Sequence, residues 1–126
     1  MELDQIVRRF GELCGLPAEE AEAQRELCGE AMARVEELQN GQPGGEEALT
    51  AYAAAVACRR YVLRCLMAGG VLSIGDPLGG PAGARSAAEA LEEEYRRGAS
   101  RWLVPPEFCF RRTPGAGGRI TKGVGL

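Results

Sequence analysis

The sequence predicts an all-α protein: a small four-helix bundle over residues 1–104, with an extended C-terminal arm over 105–126. Three observations carry that expectation. Apolar residues recur at three- and four-residue steps in four separate stretches. Clusters of Gly, Pro and Asn separate those stretches. The alternation expected of a half-buried strand is confined to short pieces near 71–74 and 108–110.

The first helix is predicted over about 2–14. Leu3, Ile6, Val7, Phe10, Leu13 and Cys14 form a single apolar stripe. Gly15 then supplies a left-handed cap, and Pro17 disfavours helix at the residue before it. The second helix is expected over 18–40. Glu19, Glu20 and Glu22 lie in its first turns, where carboxylates meet the positive end of the helix dipole. Its apolar line is thin, Leu27, Cys28, Ala31, Val35 and Leu38, which places it on the outside of the bundle. The run QNGQPGG ends it in a turn.

The third helix, over 46–68, is the one around which the others are arranged. Leu49, Tyr52, Ala53, Val56, Leu63 and Met67 fall along one side, and Ala57, Cys58, Tyr61, Val62, Cys65 and Leu66 fill most of the rest. A helix apolar around so much of its circumference is enclosed by neighbours. Arg59, Arg60 and Arg64 interrupt it within about a third of the helical wheel, as a basic strip facing solvent or a partner.

Residues 69–85 read as a long Gly/Pro-rich loop containing Val71, Leu72 and Ile74, compatible with a short extended arm or one side of a β-hairpin. The last helix is expected over 86–103, opened by a capping box of Ser86 and Glu89. Leu91, Tyr95, Ala99, Trp102 and Leu103 are its buried side, with Trp102 as a core anchor. Pro105 and Pro106 stop it. In the arm, Phe108 and Phe110 share one face of an extended segment, and beyond Arg111 the chain is Gly-rich, basic and free of acid.

Composition narrows the function. The chain is acidic overall, at −3, but residues 1–50 carry 12 acidic and 4 basic side chains, whereas residues 51–126 carry 6 and 11. A chain with one acidic and one basic surface can stack on copies of itself head to tail, and such contacts close into rings. Histidine is absent, which removes the commonest general base and the usual partner of a Ser or Cys nucleophile. The five cysteines (Cys14, Cys28, Cys58, Cys65 and Cys109) are odd in number, contain no CxxC pair and lack metal-ligand spacing. They read as small buried hydrophobes. The chain is accordingly expected to be no enzyme, with no catalytic, cofactor or metal site. No apolar run is long enough for a membrane span, and the first residues lack signal-peptide character, so synthesis in the cytoplasm is expected.

The stretches LTAYAAAVACRRYVL at 49–63, LSIGD at 72–76, AAEALEEEY at 87–95 and FCFRR at 108–112, in this order and helix spacing, resemble the small head–tail connector (adaptor) proteins of tailed phages and prophages. The resemblance implies a structural subunit of the virion neck, made in the host bacterial cytoplasm. It implies a ring of about a dozen copies between portal protein and tail or neck proteins, with DNA passing through the lumen without sequence-specific binding. In that picture Arg59, Arg60, Arg64, Leu72, Ile74 and Asp76 are candidate subunit-interface residues. Phe108, Phe110, Arg111, Arg112, Arg119 and Lys122 are candidate portal-docking residues of the arm. Two other readings stand beside it: a different phage neck or tail-completion protein, and a small helical nucleic-acid-binding regulator. The regulator would require an exposed basic recognition helix and a tight helix-turn-helix connection.

Overall fold

The computed structural model describes residues 1–68 and 80–105. Within them the chain is all-α. Five α-helices follow one another: α1 (Leu3–Cys14), α2 (Ala18–Ala23), α3 (Arg25–Leu38), α4 (Glu46–Met67) and α5 (Gly80–Gly98). A 3₁₀ turn, Ser100–Trp102, follows α5. Among the described residues the one extended pairing is an antiparallel bridge between Gln39 and Leu103.

The first helix forms as its stripe predicts. Ile6, Val7, Phe10 and Cys14 are buried, and Leu3 and Leu13 are half-buried. Gly15 adopts the left-handed conformation at φ 69°, and the Leu16 N–H closes the end onto Gly11 O at 2.8 Å.

The single second helix expected over 18–40 is two helices. Gln24, at φ −102° and ψ 23°, turns the chain between α2 and α3. Neither Gly nor Pro marks the break; packing does. Ala21, the buried residue of α2, lies against α1 so closely that a methyl group on Gly11 would sit 2.9 Å from the Ala21 Cβ. Leu27, Cys28, Ala31 and Val35 of α3 are buried instead within the bundle that α3 forms with α4 and α1. One straight axis cannot serve both contacts. Arg25 seals the bend with ion pairs to Asp4 and to Glu22, the latter at 2.7 Å.

The central position of α4 holds. It packs against α1, α3 and α5, and every residue from Leu49 to Cys58 is buried. Five of those ten are alanine, whose short side chains let neighbouring backbones approach from all sides. Phe10 closes one flank, its ring edge-on to Tyr61 at 5.6 Å and 88°. Complete burial of a side chain such as Phe10, Ile6 or Leu49 stabilises the fold by about 1.5–3 kcal/mol each. Beyond Cys58 the enclosure opens. Val62 is fully buried, Leu63 is half-buried, and Met67, expected on the buried stripe, is 89% exposed. The stripe runs on past the contacts that α1 makes at Cys58 and Tyr61.

The last helix begins earlier than the capping box predicts. It starts at Gly80, so Ser86 lies inside α5 as an exposed residue and caps nothing. Glu89 turns back to Arg85, whose Nε donates to it at 3.1 Å. Ala84 of the additional turns is buried with Ala88 against Val62 of α4, and Leu66 packs beside them. Pro81 falls in the first turn, where its missing N–H costs no intrahelical bond. Of the expected 69–85 loop, residues 80–85 are helical, and residues 69–79 lie outside the described residues.

The expected end at 103 is also revised. After Gly98 the chain tightens into the 3₁₀ turn, buries Ala99 and Leu103, and runs back along the end of α3. The Asn40 N–H donates to Trp102 O at 3.0 Å and the Val104 N–H to Leu38 O at 2.8 Å. Asn40 completes this clasp: its Nδ2 donates to Arg101 O at 3.0 Å, and its Oδ1 accepts from the Gln42 N–H at 3.0 Å. Trp102 is half-buried and stacks over the 43–45 turn, its indole N–H donating to Pro43 O at 3.1 Å.

Candidate assembly surfaces

The basic strip of α4 does not act as one unit. Arg59 is committed within the chain, its Nε 2.5 Å from Glu92 Oε1, which ties α4 to α5. Arg60 leans towards Glu30 of α3 at 3.8 Å. Arg64 is exposed and makes no ion pair among the described residues. Helical spacing puts the three on one side of α4, and the elements packed beside that side decide what each one meets.

Arg60 and Arg64 border an open depression of about 610 Å³ at the end of α4. Its apolar members are Leu27 of α3 with Leu63, Met67 and Ala68. The exposed Met67 side chain projects there, flexible and polarisable enough to fit an irregular partner surface. A second apolar depression, of about 390 Å³, lies between α1 and α2. Val7, Gly11, Leu16 and Ala21 contribute its apolar part, and Asp4, Glu12 and Glu22 its acidic border. Arg8 also borders it, and Arg25 already neutralises part of the charge on Asp4 and Glu22. The carboxylates of Asp4 and Glu22 in turn raise Arg25 above its ordinary value through their hydrogen bonds. The two depressions share no residue. Glu30 also lines the first, facing Arg60, so that depression carries one more basic than acidic side chain. The second, with Arg8 against Asp4, Glu12 and Glu22, is acidic on balance.

A third cleft, of about 400 Å³, runs between α1 and the start of α4 and mixes Arg8 and Arg9 with Glu12, Glu46 and Glu47. Thr50 lines it, and its buried Oγ1 has no hydrogen-bond partner among the described residues. Opposite charges alternate around this cleft, so it selects neither an anion nor a cation.

Of the five thiols expected to be buried, Cys14, Cys28 and Cys58 are buried and Cys65 is partly buried, and Cys109 lies outside the described residues. Burial pushes Cys28 up to about 11. Cys14 and Cys58 meet in the core, with the Cys14 thiol donating to Cys58 Sγ at 2.7 Å. That hydrogen bond lowers Cys58 against the effect of its burial and holds Cys14 well above the ordinary thiol range. Among the described residues no group of three or more Cys, Asp or Glu side chains is placed to hold a metal ion. No described helix is long and apolar enough to cross a membrane.

The loop candidates Leu72, Ile74 and Asp76, and the arm candidates Phe108, Phe110, Arg111, Arg112, Arg119 and Lys122, lie outside the described residues. Periodicity missed both depressions. Gly11, a small residue beside the apolar stripe of α1, was the available signal for the α1–α2 groove. Nothing in the spacing of Cys14 and Cys58 marked them as neighbours. Comparisons with family models, curated proteins and solved structures return no match.

Proposed function

We propose that this chain is a structural subunit that associates head to tail with copies of itself into a ring, as a head–tail connector of a tailed phage. The observation that carries the self-association is a pair of unlike apolar surfaces on one chain: Met67 and Leu63 bordered by Arg64 and the Arg60–Glu30 pair, and the α1–α2 groove, where Asp4, Glu12 and Glu22 outnumber Arg8. Two different patches that fit each other make a heterologous contact, the kind that generates closed rings when the rotation closes. Apolar burial supplies the attraction, and the charged borders set the register, because exposed ion pairs contribute only about 0–1 kcal/mol each.

The phage assignment rests on the sequence resemblance, and the assembly partners follow from it. They are a portal protein on one side, tail or neck proteins on the other, and DNA crossing the lumen without sequence-specific contacts. No cofactor is required. The 108–126 segment, with Phe108, Phe110 and its basic residues, is assigned to portal docking.

The decisive experiment is light scattering and negative-stain microscopy of the purified full chain, alone and with portal rings. Rings of the wild type are expected, alone or on the portal. Met67→Asp and Arg64→Glu should each prevent them while leaving helicity by circular dichroism unchanged. Normal rings in both variants would reject the interface. Deletion of 108–126 should leave a folded protein that no longer co-purifies with portal, and undiminished capture would reject the docking role. Strong, salt-dependent DNA binding by a lone subunit would favour the regulator reading instead.

A further inference from the structure

We propose that Cys14 and Cys58 are a covalent modification site, forming an intramolecular disulfide between α1 and α4 on exposure to a peroxide. Their Sγ atoms are 2.7 Å apart, and a disulfide bond is about 2.05 Å long, so bonding requires an approach of only about 0.7 Å. Cys14 is the last residue of α1, followed directly by the left-handed Gly15, so the movement falls on a helix end and leaves the middle of a helix undisturbed. Cys58 is held in the fully enclosed part of α4. Phe10 and Tyr61, packed edge to face, tie the same two helices close by. The other thiols are placed differently. Cys28 is buried on α3, and Cys65 lies two turns along α4 from Cys58.

The chemistry balances with peroxide as the oxidant. Because Cys14 donates its proton towards Cys58, negative charge is favoured on Cys58, which makes it the attacking sulfur. The Cys58 thiolate attacks one peroxide oxygen, the O–O bond breaks, and Cys58 becomes a sulfenic acid as water or an alcohol leaves. Cys14, giving up its proton, then attacks the Cys58 sulfur. The S–S bond forms, the S–O bond breaks, and the oxygen leaves as water. Two thiols have supplied two electrons, and the peroxide has been reduced. Burial slows the first step and shields the finished bond from reductants. In a reducing cytoplasm the pair stays as thiols, and it oxidises where peroxide outruns reductant.

The test treats the reduced, full-length protein with hydrogen peroxide, then denatures it, alkylates the remaining thiols and maps it by mass spectrometry after trypsin digestion. The four cysteines of the described residues fall on separate peptides: Cys14 on 10–25, Cys28 on 26–34, Cys58 on 35–59 and Cys65 on 65–85. The expected product is peptide 10–25 joined to 35–59 within one chain, with three alkylated thiols in place of five, reversed by dithiothreitol. Oxidised protein should also unfold at a higher temperature than reduced protein. Cys65→Ser should retain the link. Cys14→Ala and Cys58→Ala, checked for helicity, should lose it. Five alkylated thiols, a link through 26–34 or 65–85, or a link only between two chains would overturn the proposal, and the wild-type map alone suffices to decide.

Discussion

Gly45 lies directly beneath the indole of Trp102: a side-chain methyl added at Gly45 would fall 2.6 Å from the ring atoms Cγ and Cε2. The contact joins the N-terminus of α4 to the segment that follows α5, far apart in sequence. It works because Gly45 has no side chain and adopts the left-handed conformation at φ 79° that starts α4.

Gly45→Ala therefore incurs two costs, about 1–2 kcal/mol for an alanine in the left-handed region and a further loss from displacing Trp102. Gly44 gives the internal control. It is also left-handed, at φ 84°, but its added methyl would stand 3.8 Å from Trp102 Nε1. Gly44→Ala should show the backbone cost alone. Denaturant unfolding of the two variants should place Gly45→Ala below Gly44→Ala by about 1 kcal/mol or more. Equal losses would mean that Trp102 yields freely.

Asn40 is expected to matter beyond its exposed position. Its side chain gives hydrogen bonds to Arg101 O and Leu103 O and receives one from the Gln42 N–H. Asn40→Ala should cost about 1 kcal/mol, because water can replace part of what is lost at a surface site. Asn40→Asp keeps the acceptor for Gln42 but puts a carboxylate against two carbonyl oxygens, and should be no more stable than the alanine variant. Unfolding midpoints in urea compare the two directly.

The Arg59–Glu92 pair should couple measurably. Both side chains are partly screened, at 34% and 22% exposure, so the coupling expected from a double-mutant cycle is about 0.5–1 kcal/mol. It should shrink in high salt. The Arg85–Glu89 pair, more exposed, should give less. A salt-independent coupling would point to packing by the Arg59 stem in place of charge.

Alkaline pH should destabilise the fold. Cys28 titrates near 9 when unfolded and is pushed up to about 11 by burial, so between those values the unfolded chain binds fewer protons than the native one. Stability from this group is full below about pH 9 and is lost as pH rises to about 11, by about 2–3 kcal/mol in all. Tyr52 and Tyr61, both raised chiefly by burial, add to the same trend at higher pH. Cys28→Ala should be less stable at neutral pH yet show a flatter fall above pH 9. An unchanged pH profile in Cys28→Ala would assign the alkaline loss to the other buried groups.

Much of the fold was legible in the residues. The stripes of α1 and α3, the Gly15 cap and the central place of α4 follow from periodicity and from glycine's freedom at positive φ, both of which act within a few residues. The errors fall where distant contacts decide. The Ser86–Glu89 box is a sound local signal, but the burial of Ala84 on Val62, just before it, goes with an α5 that runs back to Gly80. The break at Gln24 has no local signal at all.

The candidate surfaces divide in the same way. The basic strip was visible at helical spacing, whereas the Glu92 that occupies Arg59 stands 33 residues away on another helix. The sequence by itself determined an all-α chain, with its central helix and an uneven spread of charge, because helix formation and patterning are governed by neighbours three and four positions apart. Only the tertiary structure decided which charges are spent inside the chain, that Met67 projects, and that Cys14 meets Cys58. Those outcomes depend on how helices cross, and the crossing is set by shape complementarity between side chains that no local pattern relates.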